Sequence, residues 1–474
     1  MYDVVIVGAG IGGLMTAYGL VTNCDTKLNI AIVEQGNELT KRVCPMTKTK
    51  GACSHCSTCA ITHGVAGAGA FSDGKFNMGT AYGGTLKDEL GEELTMEYIN
   101  KLDYILSKFA TDYPDMYESD DELKLECLRN NLTLLDMNVR HLGTDKNYDT
   151  MLALYNDLKT FYGVEMLTNY TCEYLTQTAL KDKFIMRISN GSDKRLLDAK
   201  RVVVATGRSG ADFVKQICEE FKVNVEANAV DIGVRVEMPD LIWKHFSDKI
   251  YEPKIHYRTA TYGDNCRMFC FNQGGIVSAE NNGGIITANG HSYADKSKKT
   301  QNCNFAILSS THFTEPFNQP TEFAENIARM ANMIGDGNVI VQRLGDLKLG
   351  RRTNAHRLAR CSTTPTLKAT PGDLALVLPH RVLTNIVETL EALDRVAPGT
   401  ANPDTLLYGV ESKYYSLKPK HNEAFELVPG LHLIGDGSGI CRGLSQSGAM
   451  GLYVADCIIN HRNTKADDQC GKDA

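Results

Sequence analysis

Asp3-Val4-Val5-Ile6-Val7-Gly8-Ala9-Gly10-Ile11-Gly12-Gly13-Leu14 decides how the rest of the chain is read. A run of β-branched residues feeds G-x-G-x-x-G, and Leu14-Met15-Thr16-Ala17-Tyr18-Gly19-Leu20 continues with apolar residues at helical spacing. The order is strand, tight turn, helix. A second strand, Asn29-Ile30-Ala31-Ile32-Val33, ends in Glu34, about 20 residues beyond the turn. In a dinucleotide-binding βαβ unit each position has its own task. Gly8 makes the turn, Gly10 lets backbone approach a pyrophosphate, Gly13 brings helix against strand, and Glu34 accepts from a ribose hydroxyl. The helix N-terminus adds partial positive charge for the phosphates. G-x-G-x-x-G alone is a weak signal; the strand, the helix and the spaced acid raise it above a merely glycine-rich turn.

Two distant segments complete the pattern. Arg201-Val202-Val203-Val204-Ala205-Thr206-Gly207 reads as a buried strand closing on small residues, which let backbone pass close to a nucleotide. Near the C-terminus, Leu431-His432-Leu433-Ile434-Gly435-Asp436-Gly437 is again a strand, and a helix from Ser447 to Ile459 follows it. There the Asp436 carboxylate suits a ribityl hydroxyl, and the helix N-terminus suits the flavin end of the cofactor. Three separated segments on one cofactor point to FAD rather than NAD, because a nicotinamide-binding Rossmann domain needs no cofactor strand so far downstream. No second strand-GxGxxG-helix unit stands between Gly207 and Gly435, so the nicotinamide domain of disulfide reductases is not expected.

Length and composition set the outer limits. A chain of 474 residues exceeds one simple core and suggests two or three domains. At 43% hydrophobic and 23% charged residues it is of the globular class, not disordered or fibrous. The net charge of -7 gives no global attraction for nucleic acid. Met1 runs directly into strand residues instead of a basic, apolar leader, and no apolar run approaches bilayer length, so a cytoplasmic protein without a membrane segment is expected. In that compartment 15 cysteines argue for thiol, metal or redox chemistry more than for a disulfide framework.

The expected fold class is α/β. A discontinuous Rossmann-like FAD-binding domain takes residues 1–90, 150–222 and 405–474, with a helical insertion over 91–149 and an inserted mixed α+β substrate or cap domain over 223–404. Apolar spacing predicts helices over 94–109 and 122–135, another ending near Phe161, and an amphipathic helix from Asp373 to about Leu393. There is no internal repeat.

Between Gln35 and Gly84 the sequence is irregular, and a long loop of this kind is usually functional or disordered. It holds Cys44 and then Cys53-Ser54-His55-Cys56-Ser57-Thr58-Cys59. Thiols at C-x2-C-x2-C, with Cys44 as a fourth, suit an iron-sulfur cluster better than zinc, which usually draws ligands from two separated knuckles; free thiols are the remaining reading. Then comes Gly67-Ala68-Gly69-Ala70-Phe71-Ser72-Asp73-Gly74-Lys75, in which Gly69, Ser72, Asp73 and Lys75 can wrap phosphate or the flavin pyrimidine.

Cys44-Pro45, the Cys53, Cys56 and Cys59 cluster, Gly67 to Lys75, His141 to Asp145, Asp231 to Glu237, Asn304 to Leu308 and Gly435-Asp436-Gly437-Ser438-Gly439 together resemble the FAD-dependent dehydrogenase family of the glutathione-reductase-like flavoproteins. The resemblance implies bound FAD and oxidoreductase chemistry, and it names no substrate or electron partner. It departs at Cys270-Phe271-Asn272-Gln273-Gly274-Gly275, where the family pattern is Cys-x-Cys-Pro-Gly-Gly.

Flavin chemistry asks the protein for orientation and at most one proton donor or acceptor. His291, Arg267 beside Cys270, and Arg442 after the Gly-Asp turn are the candidates, ahead of His55, His63 and His141. One basic cluster, Arg343, Lys348, Arg351, Arg352, His356, Arg357 and Arg360, is opposed only by Asp346; it suggests a nucleic-acid footprint, although an ion-paired face is the plainer reading. The main expectation is an FAD-dependent oxidoreductase acting on a small organic substrate. The alternatives are a nucleic-acid-modifying flavoprotein and a non-catalytic flavin/thiol redox sensor.

Overall fold

The computed structural model describes residues 1–45, 56–72, 74–136, 138–180, 183–226, 230–250, 252–282, 284–292, 296–311, 313, 319–414 and 417–470. Cys53, His55 and Asp73 therefore lie outside the described residues. The chain divides into two units, Met1–Met116 with Asn138–Glu226 and Ser416–Ala474, and Tyr117–Met137 with Ala227–Tyr415. Among the described residues no helix is long and apolar enough to cross a membrane.

In the first unit, β1 (Tyr2–Val7), β2 (Ile30–Glu34), β3 (Glu165–Thr168) and β4 (Lys194–Val204) share a sheet in the order β4-β1-β2-β3. Neighbours run parallel, with Val4 opposite Ile30 and Arg201, and Ala31 opposite Glu165. The strand Leu431–Leu433 adds in parallel beyond β4 through Val202 opposite Leu431. Both faces of this sheet are covered, which is why β1 and β2 are continuous apolar runs and not alternating ones. Val4, Ile6, Ile30 and Ile32 share a core with helix α1 (Ile11–Asn23), the helix Glu92–Phe109 and the helix Leu444–Cys470. Val5, Val7, Ala31 and Val33 turn the other way, toward Val214 and Ile217 of the helix Ala211–Glu220. From β1 the chain steps to one side for β2 and β3 and comes back to the other side for β4. The topological switch point thus falls between β1 and β4, where open α/β sheets bind their ligands.

In the second unit, β5 (Val230–Pro239), β6 (Asn265–Asn272), β7 (Asn302–Thr311) and β8 (Leu406–Tyr414) form an antiparallel sheet in the order β8-β5-β7-β6. Ile232, Val234, Val236 and Met238 of β5 enter an apolar core with Trp243, Phe246, Phe305 and the helix His380–Asp394. Asp231, Arg235 and Glu237 alternate with them and are buried too. Glu237 is fully served: it accepts from Tyr408 Oη at 2.5 Å, Thr366 Oγ1 at 2.5 Å and Asn302 Nδ2 at 3.0 Å.

Two helix expectations change. The helix expected over 122–135 stops at Arg129, because Asn131 takes a left-handed φ of 57°, and Leu132–Leu134 then becomes a strand paired with Ile255–Arg258. The stretch from Asp373 to Leu393 is likewise divided. Asp373 caps the short turn Leu374–Leu376, and the main helix begins only at His380, after Pro379, whose missing N–H and fixed φ suit a helix start and not an interior.

Candidate dinucleotide cradle and cysteine loop

At the carboxyl end of β1, Gly8 has a φ of +108°, and a Cβ built on it would lie 2.4 Å from the Ala205 carbonyl oxygen. A Cβ on Gly13 would lie 2.1 Å from the carbonyl oxygen of Gly8. Gly10 differs: its φ of -69° is ordinary, and a Cβ there would meet nothing within 4 Å. Two glycines are thus closed in by backbone, and the third faces the open side of the turn, as close approach of a diphosphate requires. The first turn of α1 carries no side-chain cap, so its first N–H groups take no acceptor from a capping side chain, as an anion site at a helix N-terminus requires.

Glu34 is buried at the end of β2. Its Oε2 accepts from the Ala9 amide at 2.9 Å, and its Oε1 accepts from the amides of Gly36 at 2.9 Å and Gly64 at 3.0 Å. A carboxylate offers about four lone-pair sites, so one remains for a ribose hydroxyl. The other sequence segments are brought alongside. Ala205 donates its amide to Val7 at 2.8 Å, and a Cβ on Gly437 would stand 3.0 Å from the Gly207 carbonyl. Thr206 lies between them at the end of β4, and Gly435 begins the turn that carries Asp436, whose carboxylate accepts from Arg208 Nη2 at 3.1 Å. The loop after β2 returns to the same turn, since a Cβ on Gly67 would lie 3.1 Å from Gly10 Cα and one on Gly69 would lie 2.7 Å from Leu444 Cδ2. Ser72 Oγ closes this loop onto the Gly69 carbonyl at 2.7 Å. Lys75 stands in a short strand opposite His141, and the Arg442 amide donates to Gly83 at 2.8 Å.

Two cradle residues carry no sequence signal. Asn147, fully buried, donates its Nδ2 to the Gly69 carbonyl at 2.7 Å. Arg42 bonds the loop 60–67 from beneath. Beside Glu34 a polar cavity of about 500 Å³ is lined by Gly36, Asn37, Arg42, His63, Asn169 and Asn190, among others.

In the cysteine loop, Cys56 is exposed and Cys59 half-buried. Burial pushes the Cys59 thiol up, but hydrogen bonds from the Thr62 side chain and from the Ile61 and Thr62 amides, with the Arg42 charge, outweigh it and hold the thiol below its ordinary pKa. Among the described residues, no three His, Cys, Asp or Glu side chains are gathered so as to hold a metal ion.

In the second unit, Arg267 is ion-paired with Asp231, which also accepts from Ser310 Oγ at 2.6 Å. His291 ends the strand Ile285–His291, and partial burial and the Arg235 charge hold its imidazole below the ordinary pKa. Burial, with the charge of Arg267, brings His256 down to about 4, so it is neutral near pH 7. The basic cluster is organised around acids. Buried Asp346 accepts from Arg351 Nε at 2.8 Å and lies within 3.3 Å of Arg357 and 3.6 Å of Arg343. Lys348 pairs with Glu391 at 2.6 Å.

Residues 229–414 match the family described as FAD-dependent protein, C-terminal domain-like. Comparison with curated proteins gives no match. Among solved structures, p-nitrophenol 4-monooxygenase PnpA from Pseudomonas putida DLL-E4 is similar over 97% of this chain and 80% of its own, at 11% identity and a TM-score of 0.39. A flavoprotein/dehydrogenase from Cytophaga hutchinsonii is similar over 98% and 79%, at 10% identity and a TM-score of 0.40. The quinol fumarate reductase FrdA of E. coli is similar over 98% and 71%, at 12% identity and a TM-score of 0.41.

Proposed function

We propose that this chain is an FAD-dependent oxidoreductase acting on a small organic substrate. The observation that carries the reading is the meeting of the Gly8–Gly13 turn, Glu34, Ala205–Gly207 and Gly435–Asp436 at the carboxyl ends of adjacent parallel strands, at the switch point of the sheet. The family match over residues 229–414 supports it. The residues present fit the cofactor. The uncapped N-terminus of α1 takes the diphosphate, Gly10 admits it, and Glu34 has capacity for a ribose hydroxyl. Asp436 takes a ribityl hydroxyl when it gives up Arg208, and the N-terminus of the helix Leu444–Cys470 favours negative charge on the flavin pyrimidine. When bound, FAD supplies the hydride or electron chemistry, and the protein supplies orientation and electrostatics. Purified protein should absorb near about 370 and 450 nm, where flavins absorb, or take up FAD when it is added. A colourless protein that cannot be reconstituted would overturn the reading.

The cysteine loop is proposed as a metal centre of the same enzyme, with Cys44, Cys53, Cys56 and Cys59 as its thiols, on the strength of their C-x2-C-x2-C spacing. Anaerobically prepared protein should then contain iron with sulfide, and Cys56→Ser should lose that metal and keep FAD. Zinc alone would assign a structural staple, and a metal-free wild type with bound FAD would remove the proposal.

A further inference from the structure

Arg42 follows the short turn Leu39–Lys41 and is only 5% exposed. Its guanidinium donates to four backbone carbonyls: Nε to Ala60 at 3.0 Å, Nη2 to Ile61 at 2.8 Å, and Nη1 to Val65 at 2.6 Å and Gly67 at 2.8 Å. The group also lies over the Phe71 ring, 4.7 Å from its centroid. No carboxylate is among these hydrogen-bond partners. Burial pushes the guanidinium down to about 10, with the nearby charge of Glu34 working the other way. A buried cation given entirely to carbonyls is an unusual use of arginine, whose fork suits carboxylate or phosphate.

The loop it holds explains the choice. Gly64, Ala66 and Gly67 all have left-handed φ values, of 116°, 67° and 60°, so no regular backbone ladder can satisfy these carbonyls. Once fixed, the loop makes three contacts with the cradle. Gly64 gives its amide to Glu34 at 3.0 Å, Ala66 gives its amide to the Ala9 carbonyl at 2.8 Å, and Gly67 comes to rest beside Gly10.

We infer that Arg42 is a positioning residue for the cofactor: its fork sets the loop 60–67 so that Glu34 is oriented for the ribose and Gly67 backs the diphosphate turn. The inference rests on the FAD reading above and adds a residue that never touches the cofactor's reacting end. A purely structural staple would contribute to stability and leave cofactor affinity alone.

The test uses apoprotein of wild type, Arg42→Ala and Arg42→Lys, titrated with FAD, with hydrogen exchange followed at the Gly64 and Ala66 amides. Arg42→Ala should bind FAD about 30-fold or more weakly and exchange both amides faster, while the melting curve stays cooperative. Guanidinium ion, added below denaturing concentration, should restore about fivefold or more of the affinity of Arg42→Ala and leave wild type unchanged. Arg42→Lys should stay weak, since one ammonium cannot serve four spread carbonyls, and it carries the test if the alanine variant does not fold. Binding by a folded variant within about threefold of wild type, or unchanged exchange at Gly64, would overturn the inference. Wild type that binds no FAD would overturn the cofactor reading instead, and the exchange measurement would still judge the loop.

Discussion

Gly10→Ala leaves the apoprotein about as stable as the parent and weakens FAD binding by about 30-fold or more, whereas Gly13→Ala lowers stability by roughly 3 kcal/mol or prevents folding. The two glycines stand three residues apart in one motif, and only their surroundings separate them. At Gly13 the added methyl would meet the Gly8 carbonyl oxygen at 2.1 Å and the Ile6 Cγ2 at 3.2 Å. Backbone cannot swing aside as a side-chain tip can, so relief requires lifting α1 off β1 and opening the apolar face that Leu14, Ala17 and Ile6 close. At Gly10 the methyl meets no protein atom within 4 Å, and a φ of -69° suits alanine. The loss of glycine freedom in the unfolded chain roughly balances the penalty of alanine at an N-cap, each being roughly 0.5–1 kcal/mol. The methyl then stands where the proposed FAD site brings a diphosphate close to the backbone. Denaturant titration of the apoproteins and FAD titration of the same samples check both halves. Equal losses of stability in the two variants would show that Gly10 is as closed in as Gly13, and unchanged FAD affinity in Gly10→Ala would place the diphosphate elsewhere.

Much of this cradle was legible because its signals are local. A parallel strand buried on both faces is a continuous apolar run, so β1, β2 and the Val202–Val204 end of β4 stand out against their neighbours. Glycines forced by close backbone approach mark the turn between β1 and α1. Arg42 and Asn147 were not legible, and the reason is physical. Their partners are main-chain carbonyls of Ala60 to Gly67 and of Gly69, and any residue type has a carbonyl, so no complementary side chain announces the pairing. The same limit applied to helix ends. Asn131 ends its helix by adopting a positive φ, a choice open to asparagine but not demanded of it, whereas Pro379 had to begin one. For the basic cluster the acid that matters, Asp346, was visible, yet its reach to Arg343, Arg351 and Arg357 depends on the chain folding back from β-strand into the short helix Leu344–Lys348 and the loop beyond it.

In the second unit the largest loss should come from Arg235→Met, roughly 3–5 kcal/mol, and the double change Arg235→Met with Glu411→Leu should recover most of it. Both side chains are fully buried, with Arg235 Nη1 3.7 Å from Glu411 Oε2. That distance is too long for a hydrogen bond, and among the described residues neither carboxylate oxygen of Glu411 has a hydrogen-bond partner. Lys413 stands 3.6 Å from the other oxygen. Glu411 is therefore held by charge alone. At an effective dielectric of about 20, the attraction across such a gap is about 4 kcal/mol, and the fully buried guanidinium exerts it with less solvent screening than the part-exposed Lys413. Arg235 is better served, since Nη1 and Nη2 donate to the carbonyl and the sulfur of Cys270 at 3.4 and 3.7 Å. Removing the arginine leaves the buried Glu411 carboxylate with Lys413 alone, and removing both partners leaves a volume that apolar side chains can fill. Trp243, the single tryptophan of the chain, is buried in this unit's core, so its fluorescence follows unfolding here. If the double variant is as unstable as Arg235→Met alone, the loss belongs to packing against β7 and β8, and the ion pair contributes little. If Glu411→Leu alone is near neutral while Arg235→Met is not, the carboxylate is retained for something other than stability, and the charged face of β5 is where its use should be sought.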